Sequence, residues 1–164
     1  MSDGLSRFNA IPAEDAERRL YECFASASWA GRVAAGRPYR SFTELLEACE
    51  SAWAELAPDD WLAAFAAHPR IGEKGGHAPQ SSEREQSGVR AASPETMAEI
   101  AAENRRYESR FDHVFLIFAS GRTADEILSE LRRRMGNDPA TEVAVAADEH
   151  RKITRVRLER MLNG

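Results

Sequence analysis

The sequence predicts an all-α protein, a single compact domain over residues 1–164 built from about seven or eight helices. Three observations carry this. Apolar residues recur at three- and four-residue steps along most of the chain. Helix-start signals repeat: Ser41 with Glu44, Ser82 with Glu85 and Thr123 with Glu126 each match the capping box, and Ser93-Pro94 puts proline at the favoured first helical position. Finally, no two segments read as strands that could pair with each other.

The elements follow in order. IPAEDAERRLYECF (11–24) carries Ala16, Leu20, Cys23 and Phe24 at helical spacing, with acids in its first turn. Ser41 opens a helix with Leu45, Leu46, Cys49, Trp53 and Leu56 on one side, and Pro58 closes it. Asp59 or Asp60 caps WLAAFAAH (61–68), which Pro69 stops because the residue before proline is driven from the α region. Gly72 to Gln80 is a glycine-rich polar loop of a length that marks functional segments. From Ser93-Pro94 onward Met97, Ile100, Ala101, Asn104, Tyr107 and Phe111 recur at helical steps. VFLIFA (114–119) suits a buried strand or a buried helix, and without a partner strand the helix is preferred. Thr123 opens EILSELRRRMG (126–136), which Gly136-Asn137 ends, and Asp138-Pro139 opens a last helix running near Met161.

Composition narrows the function. A 43% hydrophobic and 30% charged chain is an ordinary soluble protein, and a net charge of -5 argues against a nucleic-acid binder. The basic runs at Arg132–Arg134 and from Arg151 to Arg160 read as solvated helix faces. Cys23 and Cys49 have no metal-ligand spacing and read as a reduced pair. No apolar run is long enough for a membrane span, and MSDGLSRFNAIP lacks the regions of a signal peptide, so the expected location is cytoplasmic.

His68 is the first candidate for chemistry. At a helix C-terminus the macrodipole favours its imidazolium, the state of a general acid or an anion binder, although a surface cap has the same features. His77 in the loop has a weaker claim, and His113 and His150 read as packing or surface residues. Ser82, Glu85 and Gln86 serve equally well as a capping box or as a seat for a carboxylate and a ureide edge. Arg70 and Arg122 suit either a substrate carboxylate or a structural ion pair. Metal, nucleotide and nucleophile-elbow motifs are absent, so no metal or cofactor is expected.

Together these groups resemble the family of 2-oxo-4-hydroxy-4-carboxy-5-ureidoimidazoline (OHCU) decarboxylases of urate degradation. The matching pieces are FAAHPRIGEK (65–74), SSEREQSG (81–88), NRRYESRFDHVFLIFASGR (104–122), EIL (126–128) and RKITRVRLERML (151–162), together spanning roughly residues 8 to 162. The resemblance implies an all-helical, cofactor-independent homodimer that converts OHCU to (S)-allantoin and carbon dioxide. It implies that His68 and Glu85 are catalytic, His68 as the acid and Glu85 orienting it or holding a substrate hydroxyl or N–H. It places substrate-binding residues at Pro69, Ser82, Gln86 and the segment Leu116, Ile117, Phe118, Ala119, Ser120, with Glu83, Arg84 and Arg122 beside them. One departure is Asp112, where the family commonly has glycine. Two other readings stay open: a relative acting on another small ureido or heterocyclic acid, and a helical ureide-binding module without turnover.

Overall fold

A computed structural model describes residues 2–164, and helices are the only regular secondary structure among them. Nine α-helices stand among the described residues, against the seven or eight expected: α1 (Asp3–Ala10), α2 (Ala13–Cys23), α3 (Ala27–Ala35), α4 (Phe42–Ala54), α5 (Pro58–Ala66), α6 (Pro79–Glu85), α7 (Pro94–Phe111), α8 (Ala124–Arg134) and α9 (Pro139–Asn163). A single 3-10 turn, Ser87–Val89, follows α6. The count differs because α1 and α3 were not expected, whereas the helix expected at VFLIFA does not form. Both extra helices carry an N-cap, Ser2 accepting from Leu5 N–H and Ser26 from Trp29 N–H.

The chain divides into two compact units, one running up to Ala64 and including Ile153–Gly164, the other spanning Phe65–Lys152. In the first, α2, α3 and α4 pack around an aromatic centre in which Trp29 stacks on Trp53 at 5.6 Å and Phe24 meets Trp61 edge-on at 5.0 Å. Ala16, Leu20, Cys23 and Phe24 of the expected α2 stripe are all buried there, as are both cysteines, which are free thiols. Arg37 closes the end of α1 by donating to the carbonyls of Phe8 (2.7 Å) and Ile11 (2.8 Å).

In the second unit the helices α7 and α8 share a core of Ile100, Tyr107, Phe111, Phe115, Ile117, Ile127 and Leu131. Ser93 and Thr123 cap α7 and α8 as expected, accepting from Thr96 and Glu126 N–H. Asp138 likewise caps α9, accepting from Thr141 N–H at 2.9 Å. Two expected starts are corrected. Asp60 is not the cap of α5, which already begins at Pro58; its carboxylate reaches back to Ala57 N–H at 3.0 Å. Nor do Ser82 and Glu85 form a capping box. Helix α6 begins at Pro79, Ser82 N–H is already bonded to Ala78 O, and Glu85 is its last residue.

VFLIFA is a buried extended segment with neither helix nor strand. Helix α7 ends at Asp112, whose left-handed φ of 62° turns the chain where a glycine would do so without strain. Buried backbone carbonyls then need donors from elsewhere. Arg134 supplies one to Leu116 O at 2.6 Å, and Arg122 supplies one to Phe118 O at 3.2 Å. Arg134 also lies over the Phe115 ring at 4.5 Å and bonds Glu142 at 2.6 Å. The same carboxylate accepts from Tyr107 OH (2.7 Å) and Asn137 Nδ2 (3.0 Å). Reading Arg132–Arg134 as a solvated face is therefore wrong at Arg134, which is only 1% exposed, and the tail run is likewise broken by buried Arg157.

Replacing Arg134 by Met would leave Glu142 buried without its countercharge. The expected loss is about 3–5 kcal/mol in urea unfolding, with Arg134→Lys failing to restore it. Asp112→Gly removes the left-handed strain and is expected to gain about 1 kcal/mol in the same measurement.

Candidate active site

The last turn of α5 delivers His68. Pro69 prevents the helix from continuing, α5 ends at Ala66, and His68 N–H bonds Phe65 O in a tightened final turn. The following loop folds back over this end. His77 donates twice to Ala67 O, from its backbone N–H at 3.0 Å and from Nδ1 at 3.1 Å. Gly76 makes the return possible: its φ is +79°, and a Cβ there would meet Ala67 O and Pro69 Cδ, each at 2.7 Å. The glycine-rich loop is therefore the C-terminal cap of α5.

His68 is 8% exposed and sits between two other imidazoles. The His77 ring meets it edge-on at 5.0 Å. On the other side its Nε2 lies 2.8 Å from Nε2 of His150, which is wholly buried on α9. Phe65, three residues before His68, packs against the His150 ring at 5.7 Å and against His113 at 5.5 Å. His113 is the packing residue expected: Nδ1 donates to Val114 O at 3.1 Å, and the ring is walled by Tyr107 and Phe111.

Ser82 and Glu85 are buried near the end of α6, at 5% exposure each, while Glu83 is half-buried and Arg84 exposed. Gln86 caps α6, and its side-chain oxygen accepts from Gly72 N–H at 2.8 Å. That leaves its NH2 group as the end to offer a ligand. With Gly72, Lys74, Glu83, Arg90 and Met97, Gln86 lines a cleft of about 190 Å3. His68, Ser82 and Glu85 do not line this cleft. Gly88 ends SSEREQSG under Arg122, whose carbonyl oxygen a Cβ would strike, so the two sequence pieces meet through a close backbone contact.

Leu116, Ile117 and Ala119 are core residues, Phe118 is half-buried, and the Ser120 hydroxyl is buried without a hydrogen-bond partner. Of the carbonyls in this segment, Leu116 O and Phe118 O are already engaged by arginines. Arg122 lies 4.0 Å from Glu149. Arg70 is an exposed ion-pair residue, gripping Glu108 through Nε (2.6 Å) and Nη2 (3.1 Å). Pro69 is half-buried beside His68. Among the described residues no cluster of three or more His, Cys, Asp or Glu is placed to hold a metal ion, and no helix is long and apolar enough to cross a membrane.

The residue that sequence reasoning missed is His150. Its signal was available, because Glu142, Ala146 and His150 stand at four-residue steps and are all wholly buried. Buried polar side chains on one helical stripe demand partners.

The model of the OHCU decarboxylase family matches residues 9–159. The chain belongs to the OHCU decarboxylase family. A relative named 2-oxo-4-hydroxy-4-carboxy-5-ureidoimidazoline decarboxylase, from Haloferax volcanii, is 28% identical over 94% of this chain and 93% of its own length. Uric acid degradation bifunctional protein TTL of Arabidopsis thaliana is 31% identical over 86% of this chain, which spans 45% of that longer protein. A crystal structure of OHCU decarboxylase in the presence of (S)-allantoin superposes with a TM-score of 0.79 at 30% identity, covering 90% of this chain and 99% of that one. The helical fold of that structure is thus shared by this chain.

Gly76→Ala is expected to lower stability by about 1–3 kcal/mol in urea unfolding, since the loop cannot yield at a left-handed position against backbone. Gly31→Ala, inside α3 with nothing within 4 Å of the new Cβ, is expected to raise it by about 0.5–1 kcal/mol.

Proposed function

We propose that this protein is an OHCU decarboxylase, yielding (S)-allantoin and carbon dioxide in urate degradation, without a metal or organic cofactor. The observation that carries the reading is the burial of His68, Ser82 and Glu85, polar residues near the ends of two consecutive helices, in a chain of this family.

OHCU bears its carboxylate on a ring carbon next to a C=N group. When the bond to the carboxylate breaks, its electron pair forms a ring C=C bond, and the C=N π pair moves to nitrogen. Nitrogen takes up a proton, giving an enol. Protonation of the ureido-bearing carbon and loss of the enol proton then give allantoin. The net uptake is one proton per carbon dioxide released from the carboxylate. Water does this unaided, so the enzyme contributes rate and the choice of face.

His68 is the acid in this scheme, favoured as imidazolium by the carbonyl end of α5. Glu85 holds a substrate hydroxyl or N–H. Ser82 and the NH2 of Gln86 bind the ureide, and the buried Ser120 hydroxyl offers a further polar contact. Pro69 and the Leu116–Ser120 segment form an apolar wall that disfavours the ground-state carboxylate. Glu83, Arg84 and Arg122 complete the rim. The protein acts as a cytoplasmic homodimer, consistent with the family resemblance, and light scattering is expected to give twice the chain mass.

Circular dichroism on freshly generated OHCU tests this directly. The wild type is expected to accelerate (S)-allantoin formation, unaffected by chelator, and His68→Ala or Glu85→Gln to lose about 10²–10⁴-fold in kcat. A His68→Ala variant working at the wild-type rate contradicts the assignment.

A further inference from the structure

We propose that His150 is a positioning residue for His68, accepting its Nε2–H and so making Nδ1 the nitrogen that exchanges a proton with the substrate. This rests on the reading of His68 as the acid.

Proton counting at the histidine pair allows two arrangements. The two Nε2 atoms are 2.8 Å apart, with ring planes 80° apart and centroids at 4.5 Å. A contact this short holds one proton between the nitrogens; two would put N–H against N–H. Either His68 donates and His150 accepts, or the reverse.

The two arrangements differ in what His68 can do. Suppose His150 donates. A neutral His68 then carries its own proton on Nδ1 and cannot become an imidazolium without driving a second N–H against His150. An acid must hold two ring protons before transfer and one after, so this arrangement stops the chemistry or breaks the contact. Suppose instead that His68 donates. It is then an imidazolium with protons on both nitrogens, and after transfer from Nδ1 it remains the Nε2–H tautomer. The bond to His150 persists through both states, and the ring does not move.

The surroundings favour the second arrangement. Positive charge is better placed on His68, beside the carbonyl end of α5, than on His150 in the interior of α9. His150 is wholly buried and packs against Phe65, so its Nε2 is held in place beside His68. The logic is that of a catalytic histidine oriented by a carboxylate, with a neutral imidazole in the carboxylate's place.

Two measurements test it. Imidazole ¹⁵N NMR of the unliganded protein reads tautomers without any turnover. His68 is expected to carry a proton on Nε2, as imidazolium or as the Nε2–H tautomer, and His150 to be Nδ1–H; His68 as Nδ1–H with His150 as Nε2–H overturns the proposal. The second is kinetic, with folding verified by far-ultraviolet circular dichroism. His150→Leu is expected to lower kcat on the order of tenfold or more with little change in KM. His150→Gln, whose amide oxygen can accept near the same point, is expected to recover kcat to within about threefold of wild type. An equal loss in both variants means His150 acts only through packing and overturns the proposal. Wild-type kcat in His150→Leu with activity lost in His68→Ala does so too, and leaves the reading of His68 intact. Wild-type kcat in both variants removes that reading, and the positioning role with it.

Discussion

The Phe65–Lys152 unit depends on the buried contact between Arg134 and Glu142. Both side chains are almost fully removed from water, and neither is tolerable there alone. Glu142 collects Arg134, Tyr107 and Asn137, while Arg134 also holds the Leu116 carbonyl and covers the Phe115 ring. One carboxylate thus moors α7, α8, the extended segment and the start of α9. Burial and the Glu142 contact push the Tyr107 phenol well above its usual range, so it stays a donor. Replacing such a pair with apolar residues can be neutral for stability. What the polar version gives is register: it fixes the turn of α9 that faces inward, and two turns later that face presents His150.

His68 is then positioned from three directions. Pro69 ends its helix, the Gly76–His77 return caps the exposed carbonyl of Ala67, and His150 engages Nε2. This shifts the role of Glu85. In the proposed scheme an imidazole from α9 orients His68, and Glu85 acts on the substrate. Gln86 ties the loop at Gly72 through its side-chain oxygen, and the proposed scheme uses its NH2 for the ureide.

Much of this was legible in the sequence wherever the signal is local. The caps at Ser41, Ser93, Thr123 and Asp138 are in place, as are the stripe of α2, that of α4 at Leu45, Cys49 and Trp53 but not at Leu56, which lies beyond the helix, and the stop at Pro69. What was not legible depends on distant partners. VFLIFA has the composition of a buried helix or strand, and only Arg134 and Arg122 make an extended path affordable there. Ser82 and Glu85 match a capping box by spacing, but Pro79 starts the helix first. His150 looks like any helical histidine until α9 is brought against the end of α5. The site residues could be ranked by motif, whereas their division of labour required the contacts.

The central claim is that His68 faces the substrate through Nδ1 while His150 holds Nε2. A crystal structure with (S)-allantoin bound tests it most directly. The account predicts the ligand within hydrogen-bond reach of His68 Nδ1, with the contact to His150 intact. A ligand seated instead in the Gly72–Met97 cleft, out of reach of His68, would contradict it.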